Sequence, residues 1–432
     1  MANLPKGDKK LLNAWAFYDW ANSVYTLTIA SAVFPIFYEA LFTDKSHYID
    51  VFGMHLKNSA LISFITALAF LVVAFMSPLL SGIADYVGNK KSFMKFFCYL
   101  GALSCMGLYW FDLDSIYSGL LFYFLGLLGY WGSLVFYNSY LPDIAFTEQQ
   151  DAISAKGYSL GYIGSVILLI INLAMIMKPK LFGITGTDGE AAMKAMRYSF
   201  VMVGVWWILF SQYTYYFLPK GNKKAGEAIN KDIIFNGFKE LKKVWLILSE
   251  NLPLKRYLYG FFVSSMAVQT VMLVATYFGA QEIEWKTKED STTGLIICIL
   301  LIQLVAVLGA YLTSKASEIE INGFWLLLCI GAFIITSPDQ FYIMAAFVGL
   351  VMGGIQALSR STYSKFLPET TDTASFFSFY DVAEKVGIVI GMCVYGIIDQ
   401  VTGSPRFAIV FLALFFFIAV LLLKRVPSKK AS

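Results

Sequence analysis

Ser81-Gly82-Ile83-Ala84-Asp85-Tyr86-Val87-Gly88-Asn89-Lys90-Lys91 is a short polar hinge set between two long apolar runs. Gly82 lets a helix end pack closely, and Gly88 supplies the permissive dihedrals of a tight turn. Asp85 places a fixed negative charge at a membrane surface. Lys90 and Lys91 hold the turn on the cytoplasmic side. This order of glycine, acid, glycine and paired cations suits a loop that joins two membrane spans.

The composition outside the hinge agrees with that reading. Soluble chains average roughly 45–50% apolar residues with glycine counted in. This chain of 432 residues is 58% hydrophobic without glycine, 17% aromatic and only 14% charged. An aqueous core cannot hide so much apolar surface, so lipid must be the solvent. The net charge of +4 is small and scattered, which excludes a nucleic-acid footprint. Cys98, Cys105, Cys298, Cys329 and Cys393 fall singly within apolar runs and read as small buried hydrophobes. His47 and His55 share one short loop and make no metal site. No metal and no cofactor are expected.

Met1–Lys10 is short and basic without a small-residue cleavage site, so the first apolar run reads as an uncleaved span. About twelve segments can cross the roughly 30 Å of hydrocarbon, near 12–42, 57–86, 91–111, 115–140, 153–178, 196–218, 257–281, 291–314, 321–337, 339–366, 373–400 and 404–425. With the N-terminus inside, roughly 23 of the 33 Lys and Arg fall on the cytoplasmic side, which favours both termini in the cytoplasm. The expected fold class is an all-α polytopic membrane protein with two sets of six spans. Residues 1–218 and 257–432 are the expected halves, and 219–256 is a cytoplasmic linker. Within the linker, Ile234, Phe238, Leu241, Trp245 and Leu248 form a stripe at helical spacing. It reads as an amphipathic helix on the cytoplasmic leaflet, or as a short helix packed under the bundles. In Thr313–Gly323, the second-half position matching the opening hinge, the order of acid and then paired cations is gone.

Charged side chains at membrane depth cost several kcal/mol, so they usually face a cavity or a partner. Trp15, Asp19, Asn22 and Thr26 share a helical face in the first span. Tyr130, Ser133, Tyr137 and Tyr140 do so in the fourth, with Asn138 alongside. Gly157, Gly161 and Gly164 suit close helix packing in the fifth. Ser265, Gln269, Met272 and Thr276 share a face in the seventh span, and Gly353, Gln356, Arg360 and Tyr363 in the tenth. The eleventh holds Asp381, Glu384 and Lys385. Asp381 and Lys385 can pair along the helix, leaving Glu384 to seek a partner elsewhere, with Arg360 the natural candidate. Asp19, Asn22, Thr26, Tyr137, Asn138, Gln269, Gln356 and Arg360 are therefore the expected substrate-cavity residues. Asp19, Asp381 and Glu384 are the expected proton-coupling acids, since a carboxyl can switch between desolvated and arginine-paired environments.

The hinge resembles the signature loop between helices 2 and 3 of the major facilitator superfamily. Three further stretches narrow the resemblance. They are Asn13-Ala-Trp-Ala-Phe-Tyr-Asp-Trp-Ala-Asn-Ser23, the run Phe136-Tyr-Asn-Ser-Tyr-Leu-Pro-Asp143 continued by Ser154-Ala-Lys-Gly-Tyr-Ser-Leu-Gly-Tyr-Ile-Gly-Ser165, and Gly353-Gly-Ile-Gln-Ala-Leu-Ser-Arg-Ser361 continued by Phe376-Phe-Ser-Phe-Tyr-Asp381. Together they are similar to the vacuole effluxer group, the autophagy-related permeases and their bacterial relatives. The resemblance implies two six-helix bundles around a central cavity and alternating access by rocking. It also implies a gate in which Asp85 holds the cytoplasmic end of span 11, completed by Gly82, Gly88, Lys90, Lys91 and Asp143. Fungal members of the group are associated with amino-acid efflux. Arg360 could hold a carboxylate and Asp19 an amine, which is compatible with a zwitterion.

The expected function is secondary active transport of a small organic solute, coupled to protons. The alternatives are efflux of drugs or metabolites by the same fold, or a membrane sensor that does not transport. The short tail after Leu423 argues against the sensor. An enzyme is not expected, because no nucleophile–base or metal-ligand grouping lies at membrane depth. The expected partners are the solute, protons and the lipid bilayer, with no nucleic acid and a monomeric chain. Short loops and the absence of an Asn-x-Ser/Thr acceptor favour a bacterial cytoplasmic membrane.

Overall fold

The structure is a computed structural model and describes residues 4–42, 48–51, 53–220, 233–312, 316–402 and 405–427. Helix α1 (Lys9–Val24) begins where the Asp8 carboxylate accepts from the Lys10 and Leu11 amides. It passes into a π-helical stretch, Tyr25–Ala32, and then into α2 (Val33–Ala40). A hairpin of β1 (Tyr48–Val51) and β2 (Met54–Lys57) follows, with Tyr48 opposite Lys57. The turn needs Gly53 at φ 72°. The sequence reading placed a plain loop here; Gly53 and the β-branched residues Ile49 and Val51 make it a hairpin. His55 lies in β2, and His47 is outside the described residues.

The helices that follow are α3 (Asn58–Val87), α4 (Lys90–Gly107), α5 (Ile116–Ser139), the single turn α6 (Leu141–Ile144), α7 (Thr147–Met177) and α8 (Asp188–Phe217). The second part of the chain holds α9 (Ile233–Glu250), α10 (Leu252–Glu282), α11 (Lys288–Leu312), α12 (Glu318–Gly331), α13 (Pro338–Phe366), α14 (Thr373–Thr402) and α15 (Pro405–Leu423). Each of the twelve expected crossings is helical. Among the described residues, eight helical runs are long and apolar enough to cross a membrane on length and composition alone. The other four crossings are α4, α8, α12 and α14. Polar chemistry or shortness marks three of them: α4 carries Lys90, Lys91 and Lys95, α12 has 14 residues, and α14 buries an acid–lysine group.

The chain forms two compact units. One comprises Met1–Ser77, Val87–Tyr137 and Leu160–Ala225; the other comprises Pro78–Tyr86, Asn138–Ser159 and Gly226–Ser432. The division inside α3 falls at Pro78, whose ring removes a backbone donor from the helix interior.

In the first unit α8 packs on α1 and α4. The Thr214 hydroxyl donates to the Ala14 carbonyl at 2.7 Å, and the Trp206 indole to the Trp20 carbonyl at 3.1 Å. Gly129 sits so close to Gly101 that an added Cβ would lie 2.3 Å from its Cα. At Gly161 and Gly164 a Cβ would meet Ser23 and Trp20 at 2.4 and 3.0 Å, so these glycines do bring α7 against α1.

In the second unit α11 and α13 make the closest pair, with Gly309, Gly349 and Gly353 each against a facing carbonyl. Val244 and Leu248 of α9 pack into a cluster with Leu254, Tyr257, Tyr363 and Phe376. The buried line of α9 keeps Leu248 of the expected stripe, with Leu241 half-buried, and takes Val244 in place of Trp245. Trp245, expected in the stripe, is 55% exposed, while Val244 is buried. Packing under the bundle selects that line. The side chains of Ile234 and Phe238 are outside the described residues.

Candidate functional site

The polar face of α1 falls in the first unit. Asp19 is buried, and its Oδ2 accepts from the Tyr137 hydroxyl of α5 at 2.9 Å. Trp15 stacks on the same tyrosine ring at 4.6 Å and donates its indole N–H to the Tyr137 carbonyl at 2.9 Å. Two residues expected to line a cavity are thus bonded to each other. Asn22 is fully buried; its Oδ1 accepts from Ser23, and its Nδ2 has no hydrogen-bond partner among the described residues. Thr26 donates to the Ser23 carbonyl at 2.8 Å within the helix. One residue before Thr26 the backbone turns π-helical, a departure common at functional sites.

The second unit holds Asn138, Gln269, Gln356, Arg360, Asp381 and Glu384. Arg360 is 1% exposed. Its Nε donates to Ser154 Oγ and its Nη2 to the Ser154 carbonyl, both at 2.9 Å, and Nη1 reaches Asn138 Oδ1 at 3.5 Å. The guanidinium lies over the Tyr158 ring at 4.2 Å. Ser154 passes its own proton to the Ala357 carbonyl at 2.8 Å. Lys365 of α13, just over a turn beyond Arg360, forms an ion pair with Asp151 of α7. Gln356 lies one turn before Arg360 on α13 and is half-buried. Asp151 and Lys365 had no role in the sequence reading, and Ser154 and Tyr158 entered it only within the string from Ser154 to Ser165. The string from Ser154 to Ser165 was the available signal, but spacing along one helix does not reveal which neighbour it meets.

The hinge shows how its residues are used. The Asp85 carboxylate accepts from the Ser375 amide at 2.7 Å and from the Ala374 amide at 3.3 Å, at the first turn of α14. An anion there satisfies orphan donors and faces the positive end of the helix dipole. Thr373, the first residue of α14, donates to Asp143 Oδ1 at 3.3 Å. Gly88 has φ 66°, the left-handed turn expected of it, and Gly82 is buried within α3. Lys90 and Lys91 are buried rather than lying among headgroups. The Lys91 ammonium donates to the Leu218 carbonyl at 2.6 Å, where α8 ends. It therefore caps α8, as a cation suits the negative end of a helix.

Glu384 does not pair with Arg360 as expected. Its Oε1 accepts from Gln269 of α10 at 2.9 Å, and its Oε2 bonds Lys385 at 2.6 Å. The same lysine reaches Asp381 at 3.0 Å. Adjacency on one helix favours this arrangement, since Lys385 directly follows Glu384 and lies one turn after Asp381 on α14. Two carboxylates share one ammonium. Among the described residues no group of three or more His, Cys, Asp or Glu could hold a metal ion.

A family profile described as "Vacuole effluxer Atg22 like" matches residues 7–432. An uncharacterized MFS-type transporter, YxiO, from Bacillus subtilis (strain 168) is 28% identical over 429 residues, covering 97% of this chain and 95% of that protein. Autophagy-related protein 22 of Eremothecium gossypii is 22% identical over 466 residues, covering 93% and 87%. Among solved structures, the major facilitator transporter FucP in its outward conformation superposes with TM-score 0.67 at 15% identity, covering 97% of this chain and 98% of that one. The proton:xylose symporter XylE gives TM-score 0.67 at 12% identity, covering 97% and 95%. These likenesses show the all-α major facilitator fold of a multi-pass membrane protein. The match over nearly the whole length shows that this chain belongs to the vacuole effluxer Atg22-like family.

Proposed function

We propose that this major facilitator transporter moves a small organic solute by alternating access, coupled to protons, with amino acids as the substrate class. The observation that carries this reading is Lys385 shared between Asp381 and Glu384. A buried lysine shared by two carboxylates is suited to changing partners as one acid binds a proton on one side and releases it on the other. Asp19, bonded to Tyr137, is the second acid of the coupling route. Arg360, a buried guanidinium that bonds Ser154 and Asn138, is the group for a substrate carboxylate.

In this reading residues 1–218 and 257–432 are the two six-helix bundles, 219–256 joins them in the cytoplasm, and both termini are cytoplasmic. The membrane is a bacterial cytoplasmic one, and the chain acts as a monomer. Gating rests on the bonds that α13 and α14 make with segments from the first half of the sequence. These are Asp85 on the α14 amides, Asp143 on Thr373, and Asp151 on Lys365. Their release opens the cytoplasmic end. The test is flux of labelled amino acids in proteoliposomes under an imposed pH gradient, beside a panel of lipophilic cations. Gradient-dependent amino-acid flux, abolished by a protonophore, is expected. Flux of the lipophilic cations alone would replace amino acids by amphipathic drugs as the substrate class.

A further inference from the structure

The stretch Thr313–Gly323 does not keep the hinge's order of acid and paired cations, but it supplies a buried carboxylate. Ser317 caps α12, and Glu320 closes the capping box on the exposed side. Glu318 turns inward and is 7% exposed. Its Oε1 accepts from the Tyr257 hydroxyl of α10 at 2.8 Å, and its Oε2 from the Ser359 hydroxyl of α13 at 3.4 Å. Thr362 of α13 adds a hydroxyl nearby. Asn322, one turn on, donates to the Glu318 carbonyl and accepts from Ser264, fixing this face of α12 inward. Among the described residues no cation forms an ion pair with Glu318; every direct partner is a neutral hydroxyl.

The surroundings are largely apolar and aromatic. Tyr257, Phe261, Tyr363, Phe377 and Tyr380 form one buried cluster around this corner. From α13 the charged group facing Glu318 is Lys365, already paired with Asp151. From α14 it is the Tyr380 phenol, which also faces Glu384 and Arg360. From α10 it is Tyr257, while the neighbouring Arg256 turns away to the Arg425 carbonyl. The fourth packed helix, α15, carries only Arg406, at its far end, bound to Glu282.

We propose that Glu318 is a second proton-binding site of this transporter, separate from the Asp381–Glu384–Lys385 trio and placed to act on the Ser359–Arg360 step of α13. The site stands on geometry. A carboxylate removed from water without a cation is balanced between two forces: burial favours the neutral acid, and hydroxyl donors favour the anion. The ionised form holds Tyr257 and Ser359 as donors. On protonation one oxygen becomes a donor itself, and the Tyr257 hydroxyl can turn fully to the Ser359 carbonyl, which it already reaches at 3.1 Å. The next residue is Arg360, bound to Ser154 of α7. Proton binding at Glu318 therefore changes what anchors the peptide beside the gate. The role in transport rests on the proposed proton coupling; the proton site itself does not.

The experiment is a pH titration of the carboxyl infrared bands of the full-length protein in nanodiscs, comparing wild type, Glu318→Gln, Glu384→Gln, Tyr257→Phe and Ser359→Ala. One protonated-carboxyl band should be missing in Glu318→Gln and present in Glu384→Gln. Removing a hydroxyl donor in Tyr257→Phe or Ser359→Ala should raise the proton affinity of that band about tenfold, moving its midpoint up by about one pH unit. The two hydroxyl variants keep the test open if Glu318→Gln does not fold. Identical titrations in all variants would overturn the proposal. Loss of gradient-driven flux in Glu384→Gln with no band assigned to Glu318 would sink this site and leave coupled transport standing. A Glu318 band in a protein whose flux ignores the pH gradient would do the reverse.

Discussion

The hinge Ser81–Lys91 and its second-half counterpart Thr313–Gly323 occupy matching places in the sequence but use their acids in opposite ways. In the first, Asp85 reaches outside its own helix and caps α14, while Lys91 caps α8. In the second, Ser317 and Glu320 cap their own helix, and Glu318 is drawn into the core by Tyr257 and Ser359. One loop ties separate helices together; the other seals itself and contributes a buried titratable group. The backbone plan is alike in the two stretches, while the acid of the first bonds another helix and the acid of the second is buried beside its own.

The sharpest way to break this contrast is Asp85→Asn. It removes charge-assisted bonds of roughly 1.5–3 kcal/mol from the start of α14. Maleimide labelling of a cysteine placed at Ser378, which is buried in α14, should rise about tenfold or more, since about 1.4 kcal/mol is a factor of ten. Unchanged labelling would mean that Asp85 is no latch. Gly88→Ala forces a side chain into the left-handed region and should cost about 1–2 kcal/mol. Its thermal midpoint should fall, and Gly88→Asn should recover part of the loss. Ser317→Ala should cost about 1 kcal/mol through the lost cap. Labelling at position 378 should stay the same, because that cap serves only its own helix. The smallest effect belongs to Lys91→Met, about 0.3–1 kcal/mol from the end of α8. A thermal shift without relabelling would separate this cap from the latch.

Sequence made the order of helices readable because lipid imposes long apolar runs and hydrogen-bonded backbones. Asp85 and Gly88 were legible for a related reason: a turn between spans leaves few residues to carry polarity. The shared face of Trp15 and Asp19 was also visible at helical spacing, though their common attachment to Tyr137 was not. Partner choice is where reading along the chain stops. Glu384 was free to seek Arg360, but the fold gave it Gln269 and Lys385 and gave Arg360 to Ser154. Lys91 looked like a topology signal and is a helix cap. Glu318 was hidden because its inward direction depends on side chains of two other helices, Tyr257 of α10 and Ser359 of α13. The place of Val244 in the buried line of α9 and the π-helical turn after Val24 escaped for the same reason: tertiary packing, not local preference, decides each of them.

Proton use at the acids around Lys385 is tested most directly in proteoliposomes, by comparing pH-gradient-driven accumulation with solute counterflow in wild type and Glu384→Gln. Accumulation should be lost in Glu384→Gln while counterflow persists, because exchange without a gradient needs no net proton movement. Accumulation undiminished in that variant would contradict proton coupling at this site.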